Sequence, residues 1–237
     1  MEEIKFTDHI KSLDLGEVAI WGVDISEMGY DDDQYSRLLL KEELVKINRL
    51  KNKQSRLTSV VARSGLRILS GVYLNKDPKK IIFKKLHNGK PIIDSHKFYF
   101  NLSHSVNWIV WAFSISGKVG VDLEYVRNNV MYEKIAERYF HRCERQKLNQ
   151  SNDPKRLFFD IWAAKESLVK ASGKGVFAGM KDITIPIDHD GIPPNLRVGD
   201  FYLKKVEAGS RYACSLASEA PILKQPCYDF GGLQWQS

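Results

Sequence analysis

Three short strand-like segments follow one another at 97–102, 108–115 and 119–125, punctuated by Ser103-His104-Ser105 and Ser116-Gly117-Lys118, and a long helical pattern stands on either side of them. Segments this close in sequence read as a β-meander, and the flanking helices must cover its faces. The upstream helix is expected over 53–74, where Leu57, Val61, Ile68 and Val72 fall within about 60° of one another at 100° per residue. Arg56, Arg63 and Arg67 form a separate stripe on it, which reads as a solvated cationic face unless something anionic lies beside it. The downstream helix is announced by Asp153 as N-cap and Pro154 at its first position, and it ends near Gly173.

Around this centre, strands are expected at 17–25, 80–86, 182–188, 197–207 and 211–217, and helices at 34–50 and 130–148. His87-Asn88-Gly89-Lys90-Pro91 has turn chemistry. The fold class is therefore α+β, with strands flanking helices in both halves and a junction near Gly117, dividing the chain into 1–117 and 118–237. No Pro/Gly/Ser linker or repeat separates independent units.

Several function classes are disfavoured. The longest apolar run, Ile109 to Phe113, is far short of the roughly 20 residues of a membrane span. The opening Met1-Glu2-Glu3-Ile4-Lys5 lacks the basic and apolar regions of a secretory signal, so a cytoplasmic location is expected. Cys143, Cys214 and Cys227 show no C-x-x-C spacing, which gives no support to a disulfide framework or a thiolate zinc site. A formal charge of +7 favours an acidic protein, a phosphorylated small molecule or nucleic acid, but no RNP-like or helix-turn-helix signature supports the last.

Three places could carry chemistry. Asp122 and Glu124 in Gly120-Val121-Asp122-Leu123-Glu124 are two apart on a strand and so share a face, an arrangement that suits Mg²⁺ as well as it suits a solvated strand surface. Trp162, Glu166 and Lys170 recur at i, i+4 and i+8 along the downstream helix, where Glu166 and Lys170 also make an ordinary helical ion pair. The Gly173-Lys174-Gly175 that follows is a helix exit and no Walker motif. His104 lies in a turn between two hydroxyls, and no G-x-S-x-G elbow makes Ser103 a hydrolase nucleophile.

In combination these segments are more specific. The order N-L-S-H-S, V-G-V-D-L-E, then F-x-x-x-W-x-x-K-E-S-x-x-K resembles the 4′-phosphopantetheinyl transferases, in the longer type that modifies carrier proteins of peptide and polyketide synthesis. The likeness runs from about Arg56 through Gly89-Lys90-Pro91 to Gly175 and includes Ile135 to Phe140, similar to that family's A-x-R-F-F segment. It implies two similar α/β halves in a pseudo-twofold arrangement, with coenzyme A between them. Asp122, Glu124 and Glu166 are implied as Mg²⁺ ligands, with Glu166 also deprotonating the incoming serine. Lys170 is implied at the pyrophosphate, Arg56, Ser103 and His104 at the 3′-phosphate end of coenzyme A, and Lys90 at its adenine. Lys41, Lys46 and Lys51 are unassigned candidates for further phosphate contacts.

The resemblance further implies transfer of the phosphopantetheine arm to a serine of an apo acyl or peptidyl carrier protein, with release of 3′,5′-ADP. Glu124 points to the monomeric, two-half type, and the basic excess suits a carrier with an acidic surface. The alternative is a noncatalytic coenzyme A or nucleotide-binding regulator on the same fold. The stretch after Ala217, with Cys227 and Trp235, matches no feature of the family.

Overall fold

The structure, a computed structural model, describes residues 12–26, 32–87, 89–93, 97–173, 180–189 and 191–231. Asn88, Lys174, Gly175 and Trp235 lie outside them. The element order is β1 (Val18–Asp24), α1 (Asp32–Ser36), α2 (Lys41–Asn48), α3 (Lys53–Leu74), β2 (Phe83–Lys85), β3 (Pro91–Ile93), β4 (Tyr99–Ser105), β5 (Trp108–Ser114) and β6 (Val119–Tyr125). It continues with α4 (Tyr132–Tyr139), α5 (Arg142–Gln150), α6 (Pro154–Ser172), β7 (Asn195–Val198), β8 (Phe201–Lys205), β9 (Tyr212–Ser218) and β10 (Cys227–Asp229).

The expected meander is divided between two sheets. β4 and β5 pair as a hairpin, but the other edge of β5 is taken by β1, leaving β6 to begin a second sheet. The first sheet runs β10-β1-β5-β4 and the second β6-β9-β8-β7. Sequence patterning cannot see this, because the competing neighbour β1 comes from the far end of the first half. The hairpin also closes later than expected. β4 extends through Ser105, so Ser103 and His104 stand on a strand, and the turn falls at Val106, whose φ of 55° is left-handed. β10 runs parallel to β1, which places residues 227–229 of the second half on the first sheet.

Each four-stranded sheet is backed by one long helix, and β2 and β3 pair as a separate two-stranded ribbon. α3 lays Val61, Ile68 and Leu69 on Trp21, Trp111 and Phe113, and the indole of Trp111 donates to the Ala62 carbonyl. α6 covers the second sheet with Phe158, Ile161, Ala164 and Leu168. A third apolar layer, including Ile20, Val110, Ala112, Val121, Leu123 and Leu216, lies between the two sheets. Gly120 sets the approach of α6: a Cβ there would overlap the Ser167 carbonyl oxygen and the Ala171 amide nitrogen and stand 3.1 Å from the Ala171 Cα.

Other expectations are corrected locally. The 34–50 helix breaks at Leu40, where the Glu43 carboxylate turns back to accept from the Leu40 amide and starts α2 afresh. The 130–148 helix breaks at Phe140-His141 for the same reason, with Glu144 accepting from the His141 amide. Only 83–85 of the 80–86 strand forms, because Asp77 and Pro78 start a short 3₁₀ turn at Pro78–Lys80. The 182–188 stretch forms no ladder: the Ile183 carbonyl accepts from Lys165 and the Ile185 amide donates to Glu144, so its backbone groups are engaged by buried side chains. The 197–207 strand is interrupted at the Gly199 turn, with a φ of 57°. All three cysteines are free.

Candidate active site

β6 is the terminal strand of its sheet, and β4 the terminal strand of the other. Their facing edges, together with the C-terminal half of α6, bring Ser103, Asp122 and Lys170 into one cluster. The Lys170 ammonium lies 2.7 Å from Asp122 Oδ1, 3.0 Å from Ser103 Oγ and 3.2 Å from the Val121 carbonyl. The Ser103 hydroxyl donates to the same Asp122 oxygen at 3.0 Å. Lys170 reaches here because i+4 spacing puts it on the face of α6 that carries Glu166. Trp162, one turn earlier, is half-buried and packs against Phe158 and Tyr139 at the margin of the core.

The carboxylates are electrostatically frustrated. Glu166 is 8% exposed and Asp122 only 4%. Burial first, and the Asp122 charge second, push both the Glu124 and the Glu166 carboxyls up to about 7. Asp122 Oδ2 is buried and has no hydrogen-bond partner among the described residues. A buried carboxylate oxygen without a donor, beside two acids raised by burial and then by its charge, is a donor set that a hard divalent cation would satisfy. Among the described residues no three acidic, histidine or cysteine side chains stand close enough to hold one ion as arranged. Lys170 is instead the counter-ion of Asp122.

Beside this cluster opens a cavity of about 830 Å³, lined on one wall by Asn101, Leu102 and His104 of β4. Its other walls carry Lys46, Arg63, Lys79, Lys80 and Lys85 against Glu42 and Glu43. The arginine stripe of α3 is thus three different environments. Arg63 lines the cavity, 3.8 Å from Glu43. Arg67 also borders the cavity, but it is buried, bonded to Glu43 at 2.8 Å and to the carbonyls of Pro78 and Ile81, and is structural. Arg56 donates to the Leu50 carbonyl and is not among the cavity-lining residues. Of Lys41, Lys46 and Lys51, only Lys46 lines the cavity.

Lys90, implied at the adenine, is turned away from its two neighbours. Gly89 and Pro91 line the cavity, whereas the Lys90 ammonium turns to the Lys170 and Val119 carbonyls. Burial, then the charges of Lys118 and Lys170, lower its pKa to about 8. The surrounding protein and, second, Lys170 hold His104 below its ordinary value.

The sequence pattern of the 4′-phosphopantetheinyl transferase superfamily matches residues 118–217, the segment that carries Asp122, Glu124, Glu166 and Lys170. The 4′-phosphopantetheinyl transferase HetI of Nostoc sp. is 30% identical over 177 residues, covering 72% of this chain and 74% of its own length. This chain belongs to the 4′-phosphopantetheinyl transferase superfamily. A Synechocystis relative is 34% identical over 154 residues, and the match spans 63% of either chain. The superfamily member Sfp of Bacillus subtilis is 24% identical over 198 residues, 81% of this chain and 87% of that one.

Reasoning from sequence missed two kinds of residue in this superfamily site. Asn101 and Ser105, in the same short motif as Ser103, accept from β6 amides. Their spacing of two along a strand was the available signal. Glu144 and Lys165, the latter one residue from Glu166 in the chain, form a fully buried ion pair at 2.8 Å. A glutamate in a polar helix such as α5 carries no pattern that marks it as buried.

Proposed function

We propose that this protein transfers the 4′-phosphopantetheine arm of coenzyme A to a serine of an apo acyl or peptidyl carrier protein. The single observation that carries the reading is the Ser103–Asp122–Lys170 cluster, with its two raised carboxyls, at the edge of a cation-lined cavity large enough for a nucleotide. In this reading the cavity cations, Arg63 and Lys46 among them, bind the phosphorylated adenosine end. Lys170 sets an ammonium against the pyrophosphate. Glu166, with a pKa near 7, takes the proton of the incoming serine hydroxyl directly or through water. The serine oxygen then bonds to the β-phosphorus as the bond to the departing 3′,5′-ADP breaks.

Asp122, Glu124 and Glu166 would hold Mg²⁺. When bound, it supplies positive charge to the phosphate oxygens, where charge develops during transfer. The net charge of +7 suits a carrier with an acidic surface. The protein acts as a monomer, and a cytoplasmic setting fits free thiols at Cys143, Cys214 and Cys227. Among the described residues no helix is long and apolar enough to cross a membrane.

The test is intact-mass spectrometry of an apo carrier incubated with the protein, coenzyme A and Mg²⁺, with a chelator control. The expected result is a gain of one phosphopantetheine, lost with chelator. Asp122→Asn and Glu166→Gln should each lower turnover about 100-fold or more. Binding of coenzyme A with no modification of any carrier would instead establish the noncatalytic regulator. Calorimetry separates the arginines: Arg63→Ala should weaken coenzyme A binding about tenfold through loss of a charged contact. Arg56→Ala should leave that binding within about twofold, because its guanidinium already serves Leu50.

A further inference from the structure

Among the described residues the outer edge of β6 has no neighbouring strand, yet it is buried against the first sheet. Buried N–H and C=O groups need partners, and here side chains supply them. The Val121 amide donates to Asn101 Oδ1 at 2.9 Å and the Tyr125 amide to Ser105 Oγ at 3.0 Å. The Val121 carbonyl accepts from Lys170 and the Val119 carbonyl from Lys90. Asn101, Ser103 and Ser105 are two apart on β4, so pleating turns all three toward β6, where they are 9%, 7% and 5% exposed. Asp122 and Glu124 lie between the two anchored amides.

A direct β4–β6 ladder would set the strands about 4.8 Å apart. Backbone would then fill the space in which Ser103 and Lys170 meet Asp122. Side-chain acceptors join the edges and keep that space. We infer that Asn101 and Ser105 are positioning residues: they fix β6 against β4 and so hold Asp122 and Glu124 in register with Ser103 and Lys170. The consequence for turnover rests on the transferase reading above. The consequences for the strand and for metal affinity do not depend on transfer.

The experiment compares full-length wild type, Asn101→Ala, Asn101→Asp and Ser105→Ala by backbone amide hydrogen exchange. Calorimetric Mn²⁺ binding in the presence of coenzyme A and steady-state transfer complete the comparison. In Asn101→Ala the Val121 amide should exchange about tenfold faster, Mn²⁺ should bind about tenfold more weakly, and turnover should fall in proportion with little change in KM for coenzyme A. Asn101→Asp, which keeps an acceptor oxygen, should restore protection at Val121. Ser105→Ala should act in the same way at Tyr125, and it decides the matter if Asn101→Ala does not fold. Wild-type Mn²⁺ affinity in the alanine variants overturns the inference, whether or not exchange is faster, since the bonds would then be structural only. A wild-type protein that binds coenzyme A and Mn²⁺ but modifies no carrier refutes the transferase reading, and the exchange and metal measurements still decide the role of Asn101 and Ser105.

Discussion

Gly120→Ala should cost more than about 3 kcal/mol of folding stability and abolish the carrier modification proposed above. The reason is steric and local. α6 crosses β6 at Gly120 so closely that a methyl group would overlap the Ser167 carbonyl oxygen and the Ala171 amide nitrogen. Both are backbone atoms of a helix and cannot rotate away, unlike the end of a flexible side chain. Relief requires moving α6 off the strand, which carries Glu166 and Lys170 away from Asp122 and opens the layer beneath Leu168 and Ala171. Gly22→Ala is the control: its added methyl would meet only the Trp108 ring at 3.4 Å, ordinary contact, and it should unfold within about 1 kcal/mol of wild type. Urea denaturation of the two variants measures the difference. A Gly120→Ala midpoint equal to that of Gly22→Ala would contradict this packing.

Glu144→Ala should destabilise the protein by about 3–5 kcal/mol at neutral pH. Glu144 and Lys165 are both fully buried and 2.8 Å apart. Removing the carboxylate leaves an ammonium in the core beside the carbonyls of Met180, Ile183 and Tyr139 and the Phe140 ring, with no anionic partner for it among the described residues. It also strips the His141 and Ile185 amides of their acceptor, which unties the start of α5 and the 180–185 segment together. Burial already lowers the pKa of Lys165, and the Glu144 contact opposes that shift. Without Glu144 the folded-state pKa falls further below the unfolded one. Over that window the unfolded chain binds the proton and the folded chain does not, so the stability of the variant rises with pH. The deficit relative to wild type should therefore narrow as pH climbs toward the ordinary lysine range. A deficit that stays constant between pH 7 and 10 would show that the lost amide contacts, and not the unpaired ammonium, dominate.

These two variants also mark where sequence patterning stops. The glycine of Gly120-Val121-Asp122 is visible in the sequence, but a glycine in a strand signals only that something comes close. That the neighbour is α6, about 50 residues downstream, is a tertiary fact. Glu144 stands in a helix rich in polar residues, and nothing local distinguishes it from Glu137, which is exposed.

The long helices and the hairpin strands were legible in the sequence because their apolar periods are sustained over many residues: α3 and α6 end where Asn52, Asp153 and Gly173 cap them. The acids of β6 and the Glu166–Lys170 face were legible too, since alternation on a strand and a four-residue step on a helix fix which side chains stand together. The tertiary structure alone decided which strand edges meet, because β1 and β10 arrive from distant sequence to complete the first sheet and leave β6 with an open edge. It likewise decided that Arg67 is buried against Glu43 while Arg63 stands half-exposed, although the two share a helix stripe and both border the cavity. Local periodicity specifies which face of an element a residue occupies. What that face meets depends on contacts between segments far apart in the chain, and there the roles of Asn101, Ser105, Gly120 and Glu144 were set.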